Sequence, residues 1–288
     1  MRGRWRSGLI AAILMIVAAA LALPEVSTAG KARMTAMPAA TRAMWLWGDN
    51  PAGEVVTWAA QQGVSEIFVH VSPSVLTNGD LARLQDMRAR AGAKMIKLYA
   101  LGGDPSWVSN PKAALAWQKT ALKTGLFAGV HLDVEPYLLT AWSSDQQATL
   151  KSFLALLDKM RAASSLPLEV DVPFWYGEYR VGNRNFADEV LRRVSAVTVM
   201  SYRDAAIGPN SMMAVGQDWL NRGAVQAKRV RLGAETETLT DCGHCTFHEE
   251  GASVLAAELA KVDAATRTQP AFGGIAIHRY GTWRNLRG

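Results

Sequence analysis

Between Phe127 and Tyr137 the chain reads FAGVHLDVEPY. As a strand this segment alternates, with His131, Asp133 and Glu135 on one face and Val130, Leu132 and Val134 on the other. The apolar face suits a layer of helices and the polar face suits a cleft. Two carboxyls at i and i+2 repel each other when both are ionised, so one is expected to keep its proton near neutral pH. A carboxyl that stays protonated in a partly dry cleft meets the requirement for a general acid acting on a leaving oxygen. Glu135 is the expected acid and Asp133 its partner. A buried salt-bridge network with an inward Lys or Arg is the competing reading of the same charges.

The same period-2 logic gathers other candidates. Glu169, Asp171, Pro173 and Trp175 share a face of the run from Leu168 to Trp175, and His278 and Tyr280 share one of the run from Gly274 to Tyr280. Asp171 and His278 are expected to orient substrate hydroxyls or to tune Glu135. All five His fall in or just after β-rich runs: His70, His131, His244, His248 and His278. Trp45, Trp47, Trp107, Trp142, Trp175 and Trp283 lie at or just beyond strand ends, whereas Trp58, Trp117 and Trp219 lie on helical segments and read as core. Wide aromatic faces around a polar cleft suit sugar rings, and packing under loops is the plainer use of the same residues. Asp104, after Gly102 and Gly103, reads as a helix cap in preference to a sugar ligand.

Such side chains need elements to hold them, and the chain supplies a regular alternation. Short β-rich runs occur at Met44 to Trp47, Glu66 to Ser72, Met95 to Leu101, Gly129 to Glu135, Leu168 to Trp175, Ala196 to Tyr202, Val230 to Glu235 and Gly274 to Tyr280. Helical segments separate them. Asn110 with Pro111 and Ser144 with Asp145 open two, and Gly63, Gly92, Gly125 and Gly223 are expected to close four. Strand and helix in alternation imply parallel strands with right-handed crossovers, and eight such strands most simply close into a single-domain α/β fold, the (β/α)8 TIM barrel. Little chain follows Tyr280, so the eighth helix is expected to be missing or vestigial. An open doubly wound sheet is the alternative, but the first junction, Leu46-Trp47-Gly48-Asp49, carries no GxGxxG. In a barrel the chemistry belongs at the C-terminal ends of the strands.

Composition narrows the partners. The 288 residues are 49% hydrophobic and 19% charged, which excludes disordered and collagen-like classes. Arg2, Arg4 and Arg6 precede an apolar run from Leu9 to Leu23, the layout of a secretory signal. Cleavage is expected after Ala29, or alternatively after Ala22, leaving a linker over 30–41 and a barrel catalytic domain over 42–288. An uncleaved anchor is the other reading. The expected location is therefore secreted or periplasmic, with no stable membrane insertion after cleavage. Part of the formal charge of +6 belongs to the signal, and the remaining Lys and Arg form no stripe, so nucleic acid is not an expected partner. The chain is expected to be a monomer that acts on carbohydrate, with no cofactor and no metal. In an exported chain Cys242 and Cys245 are expected to form a disulfide stapling the loop after the seventh strand. A zinc site with His248 is the alternative, and a thioredoxin-like role would want the first Cys at a helix N-terminus.

The segment ending at Glu135 resembles the DxxDxDxE strand of glycoside hydrolase family 18, with Asp133 on its last Asp and Glu135 on its catalytic Glu. Val199-Met200-Ser201-Tyr202-Arg203-Asp204 resembles that family's MxYD segment, and Gly273 to Ile277 resembles its eighth strand. The resemblance implies that Glu135 protonates the glycosidic oxygen, that Asp133 orients a substrate N-acetyl group, and that Tyr202 helps hold that group as it acts as nucleophile. Ala128 and His131 stand where the family has its first two Asp, Arg203 replaces the Asp of MxYD with Asp204 one place later, and His278 stands near the usual Trp. Arg203, Asp204, His131, His278, Asp171, His70, Trp47, Trp175 and Tyr280 complete the expected substrate-binding set. A second resemblance, to clan A glycoside hydrolases, sets Glu135-Pro136 as acid/base and Glu235 as nucleophile. Both agree on Glu135 as proton donor. Two other classes compete: a metal-dependent barrel hydrolase using His70, His131, Asp133 and His278, and a non-catalytic carbohydrate-binding barrel, which would have no need of an acid at Glu135.

Overall fold

Each of the eight β-rich runs forms one strand, and in the computed structural model, which describes residues 41–288, the eight close into one parallel barrel. The strands are β1 (Arg42–Leu46), β2 (Val64–His70), β3 (Lys97–Gly102), β4 (Gly129–Leu132), β5 (Leu168–Pro173), β6 (Ala196–Met200), β7 (Arg229–Glu235) and β8 (Phe272–His278). Each pairs with its successor, and β8 pairs back onto β1, with Met44 opposite both Ile67 and Ile277. The expected signal segment and nearly all of the linker lie outside the described residues. Among the described residues no helix is long and apolar enough to cross a membrane.

The helices that follow the strands are α1 (Ala52–Gln61), α2 (Leu81–Ala93), α3 (Pro111–Lys123), α4 (Gln146–Ala162), α5 (Phe186–Leu191), α6 (Met212–Gln226), α7 (Ala252–Ala265) and α8 (Tyr280–Arg284), with a further short helix, Thr140–Ser144, in the loop after β4. Helix α8 is five residues long, the vestigial eighth helix expected from the short tail. Pro111 opens α3, and Asp145 caps α4 by accepting from the Ala148 amide at 3.2 Å. Gly63 and Gly125 end their helices at positive φ, as expected. Gly92 and Gly223 do not. They lie inside α2 and α6, whose ends are turned instead by Met95 and Ala227 in the left-handed region. Gly223 serves packing, since a Cβ there would sit 2.6 Å from a methyl of Val230 on β7.

Strand alternation divides the side chains between two environments. Met44, Ile67, Val130, Val170, Val199 and Leu232 point outward into the main core against the helices. Inward-pointing Ala43, Trp45, Phe68, Tyr99, Leu101 and Ala276 form a second, smaller cluster inside the barrel. Aliphatic layers do not complete that interior. A column of charge does: Arg231 on β7 is fully buried and bonds to Glu66 of β2 (Nε to Oε2, 3.0 Å) and Glu169 of β5 (Nη1 to Oε2, 3.0 Å). A buried network with an inward Arg is therefore present, but its carboxylates are Glu66 and Glu169 and not Asp133 and Glu135, for which the competing sequence reading proposed it.

Candidate active site

The site begins where that column ends. His131 of β4 is fully buried, lies flat on the Phe68 ring at 3.6 Å between centroids, and meets Asp171 of β5 through Nε2 at 2.8 Å. Its other nitrogen lies 3.5 Å from Glu169. Burial by itself drives the imidazole toward neutrality, but Asp171 and Glu169 override it and push its pKa up to about 9. The second oxygen of Asp171 accepts from the Trp45 indole N–H at 2.9 Å. Both Asp171 oxygens thus have a donor, and the pair His131 and Asp171 forms a buried floor.

Above the floor stand Asp133 and Glu135. The strand proper ends at Leu132, yet Val134 remains buried in the outer core, so the expected alternation persists past the last strand residue. The Asp133 amide donates to the carbonyl of Gly102 at 3.1 Å, and a Cβ on Gly103 would collide with the Asp133 carbonyl at 1.8 Å. Glycine at 103 is what lets the loop after β3 press against this segment. Burial pushes the Asp133 carboxyl well above the ordinary range, with Asp171 and Glu135 adding to the rise. Glu135 is raised too, by burial first; the hydroxyl of Tyr137, which donates to Oε1, opposes that rise and Asp171 adds to it. Burial, more than the mutual repulsion expected from the i and i+2 spacing, raises both carboxyls: Glu135 is a lesser cause at Asp133, and Asp133 is not among the causes at Glu135.

Tyr202, just beyond β6, faces the same space. Burial and then the carboxylates of Glu235, Asp171, Asp133 and Glu135 push its phenol far up, which keeps it a neutral O–H donor. Gly233 on β7 makes room for it, because a Cβ there would lie 3.0 Å from the Tyr202 ring and 2.8 Å from the Val199 carbonyl. Glu235, at the end of β7, has both oxygens engaged: Oε1 by the amides of Thr236 and Glu237 at 2.7 Å, and Oε2 by His278 Nδ1 at 2.8 Å. Trp47 donates its indole N–H to His278 Nε2 at 3.2 Å, so the imidazole carries its proton on Nδ1 and gives it to Glu235. His70 sits against the Trp47 ring at 5.4 Å, with burial lowering its pKa.

Several expected positions differ. Tyr280 does not share the inward face with His278, because the strand stops at His278 and Tyr280 is the first residue of α8. It is buried outside the barrel, its ring 5.4 Å from that of Trp58. Trp175 does not extend β5 either; the 3-10 turn Phe174–Glu178 swings it into an aromatic wall with Tyr137, Trp142, Tyr176 and Tyr179. Trp45 lies inside the barrel and not at its mouth, and Trp107 and Trp283 pack against Trp117 and Trp58. Asp104 caps a turn by accepting from Ser106 N at 2.8 Å. Arg203 is engaged by Asn210, the Tyr202 carbonyl and the Phe174 ring, and the Asp204 amide donates to the carbonyl of His244 at 3.0 Å. Those last contacts join the loops after β6 and β7, where Cys242 and Cys245 are disulfide-bonded as expected.

Among the described residues, the ligand atoms that gather within 4.8 Å of one another are those of Cys242, His244 and Cys245, and those of Glu235, Glu237 and His278. The set His70, His131, Asp133 and His278 is not among these groups; His131 and His278 each meet a carboxylate, Asp171 and Glu235. Tyr137, Glu66 and Arg231 were not among the expected residues. Arg231 was within reach of the same period-2 reading, since Arg229, Arg231, Gly233 and Glu235 share a face of β7.

No known family model and no curated protein matches the chain. Solved structures do resemble it in fold. A class V chitinase from Pseudomonas fluorescens Pf-5 superposes with a TM-score of 0.53 at 14% identity, over 85% of this chain and 97% of that one. The Bacillus cereus spore cortex-lytic enzyme SleL gives 0.55 at 9% identity, over 85% and 73%. Dispersin B gives 0.54 at 11% identity, over 86% and 93%. At these identities the likeness is one of architecture: the chain has the (β/α)8 barrel of these enzymes.

Proposed function

We propose that the chain is a glycoside hydrolase whose general acid is Glu135, acting on an oligo- or polysaccharide bound across the C-terminal mouth of the barrel. The observation that carries this reading is the Asp133 and Glu135 pair, both raised above the ordinary carboxylate range at the end of β4 and both facing the Tyr202 phenol. Burial favours the protonated form of Glu135, the form that can give a proton to a glycosidic oxygen, and the wall of Tyr137, Trp142 and Trp175 offers ring faces to the sugars. Three hydrogen bonds occupy the oxygens of Glu235, which favours a role in fixing His278 over one as attacking nucleophile. The nucleophile is then the substrate's own 2-acetamido oxygen. A protonated Asp133 still has an acceptor oxygen for the acetamido N–H, while Tyr202 donates to the acetamido oxygen as it closes on the anomeric carbon. Once the leaving group has departed, the Glu135 carboxylate takes a proton from the incoming water. The chitinase among the fold neighbours supports an N-acetylated glycan. His131, Asp171, His70, His278 and Trp47 shape the floor and the far wall. The enzyme is proposed to work after export, as a monomer on carbohydrate.

Glu135→Gln keeps the shape and loses the proton, so hydrolysis of an unactivated N-acetylated oligosaccharide should fall on the order of 10² to 10⁴, with activated aryl glycosides less affected. Oligosaccharide affinity, measured by calorimetry, should persist. A variant that retains most of its turnover, or a wild type that binds glycans and cleaves none, refutes the reading.

A further inference from the structure

Among the described residues Arg203 is a cation with no ion pair. Its guanidinium donates to Asn210 Oδ1 at 2.9 Å and to the Tyr202 carbonyl at 2.6 Å, and its carbon lies 5.0 Å from the centroid of the Phe174 ring. Among the described residues no carboxylate forms an ion pair with it, and burial pulls its pKa below the ordinary value, opposed only by Asp204. The remaining contact is to sulfur: Nη1 lies 3.6 Å from Cys245 Sγ. On the other side of the disulfide, the imidazole nitrogens of His244 lie 3.6 and 3.7 Å from Cys242 Sγ. Each sulfur therefore has a cationic or protonatable group beside it, and among the described residues neither group is held in an ion pair while the bond is closed. Opening the bond would create a negative charge for them to meet.

The bond also has little to do as a staple. The entropy a disulfide removes from the unfolded chain grows with the loop it closes, and only Gly243 and His244 separate these cysteines. Hydrogen bonds already fix the loop. The Asp204 amide donates to the His244 carbonyl at 3.0 Å, Phe247 N to the Glu235 carbonyl at 2.9 Å, and Thr246 Oγ1 to the Glu237 carbonyl at 2.6 Å. Both cysteines are partly open to solvent at the rim of the barrel.

We propose that Cys242 and Cys245 form a thiol–disulfide exchange site, opened and closed reversibly by a low-molecular-weight thiol. A thiolate of the reductant attacks Cys242 Sγ, the Cys242–Cys245 bond breaks, and its electron pair leaves on Cys245 as a thiolate beside Arg203. Arg203 makes Cys245 the better leaving group because its charge is permanent, whereas that of His244 is not. A second reductant thiolate then attacks the reductant sulfur of the mixed disulfide. That step forms the reductant's own disulfide and releases Cys242, which takes a proton from water with His244 alongside. Two electrons have passed from two thiols to the pair.

The test equilibrates the folded full chain with mixtures of reduced and oxidised glutathione in the presence of a chelator, traps it by alkylation, and counts alkyl groups by mass. The pair should titrate reversibly between zero and two alkyl groups with the far-ultraviolet circular dichroism unchanged. Arg203→Gln should shift the equilibrium about tenfold toward the disulfide and slow alkylation of Cys245 in the reduced protein to a similar degree, with Arg203→Lys restoring most of both. Should Arg203→Gln fail to fold, His244→Ala on the exposed turn tests the same idea through the alkylation rate of Cys242. A pair that stays closed at the most reducing ratio until the protein is denatured overturns the proposal. So does one that titrates with both variants within twofold of wild type.

Discussion

Replacing Arg231 by Met is expected to remove about 3 to 5 kcal/mol of folding stability at pH 7. The side chain is fully buried and is the one cation holding both Glu66 and Glu169, so its loss leaves two interior carboxylates, Glu66 keeping only the partly exposed Arg229 and Glu169 keeping only His131. Met fills most of the space of the Arg stem, which confines the change to charge. The pKa of Glu169 points the same way, with His131 sharing the effect. Burial works to raise its pKa, but Arg231 and His131 bring it down from 4.5 to about 2. A carboxyl lowered that far contributes about 3 kcal/mol to stability above pH 4.5, and the contribution is lost as pH falls through about 2. Wild-type stability should therefore decline across that acid window. In Arg231→Met the two carboxylates, desolvated and short of cations, should prefer their protonated forms, so the variant should become more stable as pH falls from 7 toward 5. Urea denaturation at a series of pH values reads both slopes. A loss below about 1 kcal/mol at pH 7, or parallel stability curves for the two proteins, would refute the reasoning. Adding Glu66→Gln and Glu169→Gln to Arg231→Met should recover part of the loss, because no buried charge is then left alone.

Tyr137→Phe removes the hydrogen bond that favours ionised Glu135, so the alkaline fall in kcat/KM should move to higher pH by up to about one pH unit; an unmoved or lowered limb counts against Glu135 as the acid. Gly233→Ala places a methyl 3.0 Å from the Tyr202 ring and 2.8 Å from a carbonyl, and should cost about 1 to 3 kcal/mol in stability while lowering kcat more than it raises KM. Tyr280→Phe should leave kcat and KM within about twofold, since the residue lies outside the barrel, and should lower the midpoint of thermal unfolding only slightly for the lost acceptor of the exposed Arg284, read with a parallel activity assay.

Period-2 patterning made most of the barrel and the centre of the site legible. It found all eight strands, placed His131, Asp133 and Glu135 on one face, and brought Asp171 beside them. It failed where the period changes. Tyr280 and Trp175 were extrapolated along strands that stop at His278 and Pro173, and the helical turns that follow rotate each side chain away from the strand's face. The glycines mislead for another reason: Gly223 permits close packing on Val230 and Gly92 lies within α2, and neither ends its helix. The sequence placed Arg203 in the MxYD-like segment but not its partners, because Asn210, Phe174 and Cys245 come from three separate loops.

The charge column also bears on how the barrel can be divided. Cut between β4 and β5, the chain gives one fragment holding Glu66 and His131 and another holding Glu169, Asp171 and Arg231. The Arg231 to Glu66 and His131 to Asp171 bonds both cross that cut, as does the Trp45 to Asp171 bond. The cut would leave Glu66 and His131 of the first fragment, and Asp171 of the second, without the partners that meet them in the intact barrel, so the ion pairs along the barrel axis tie each half to the other.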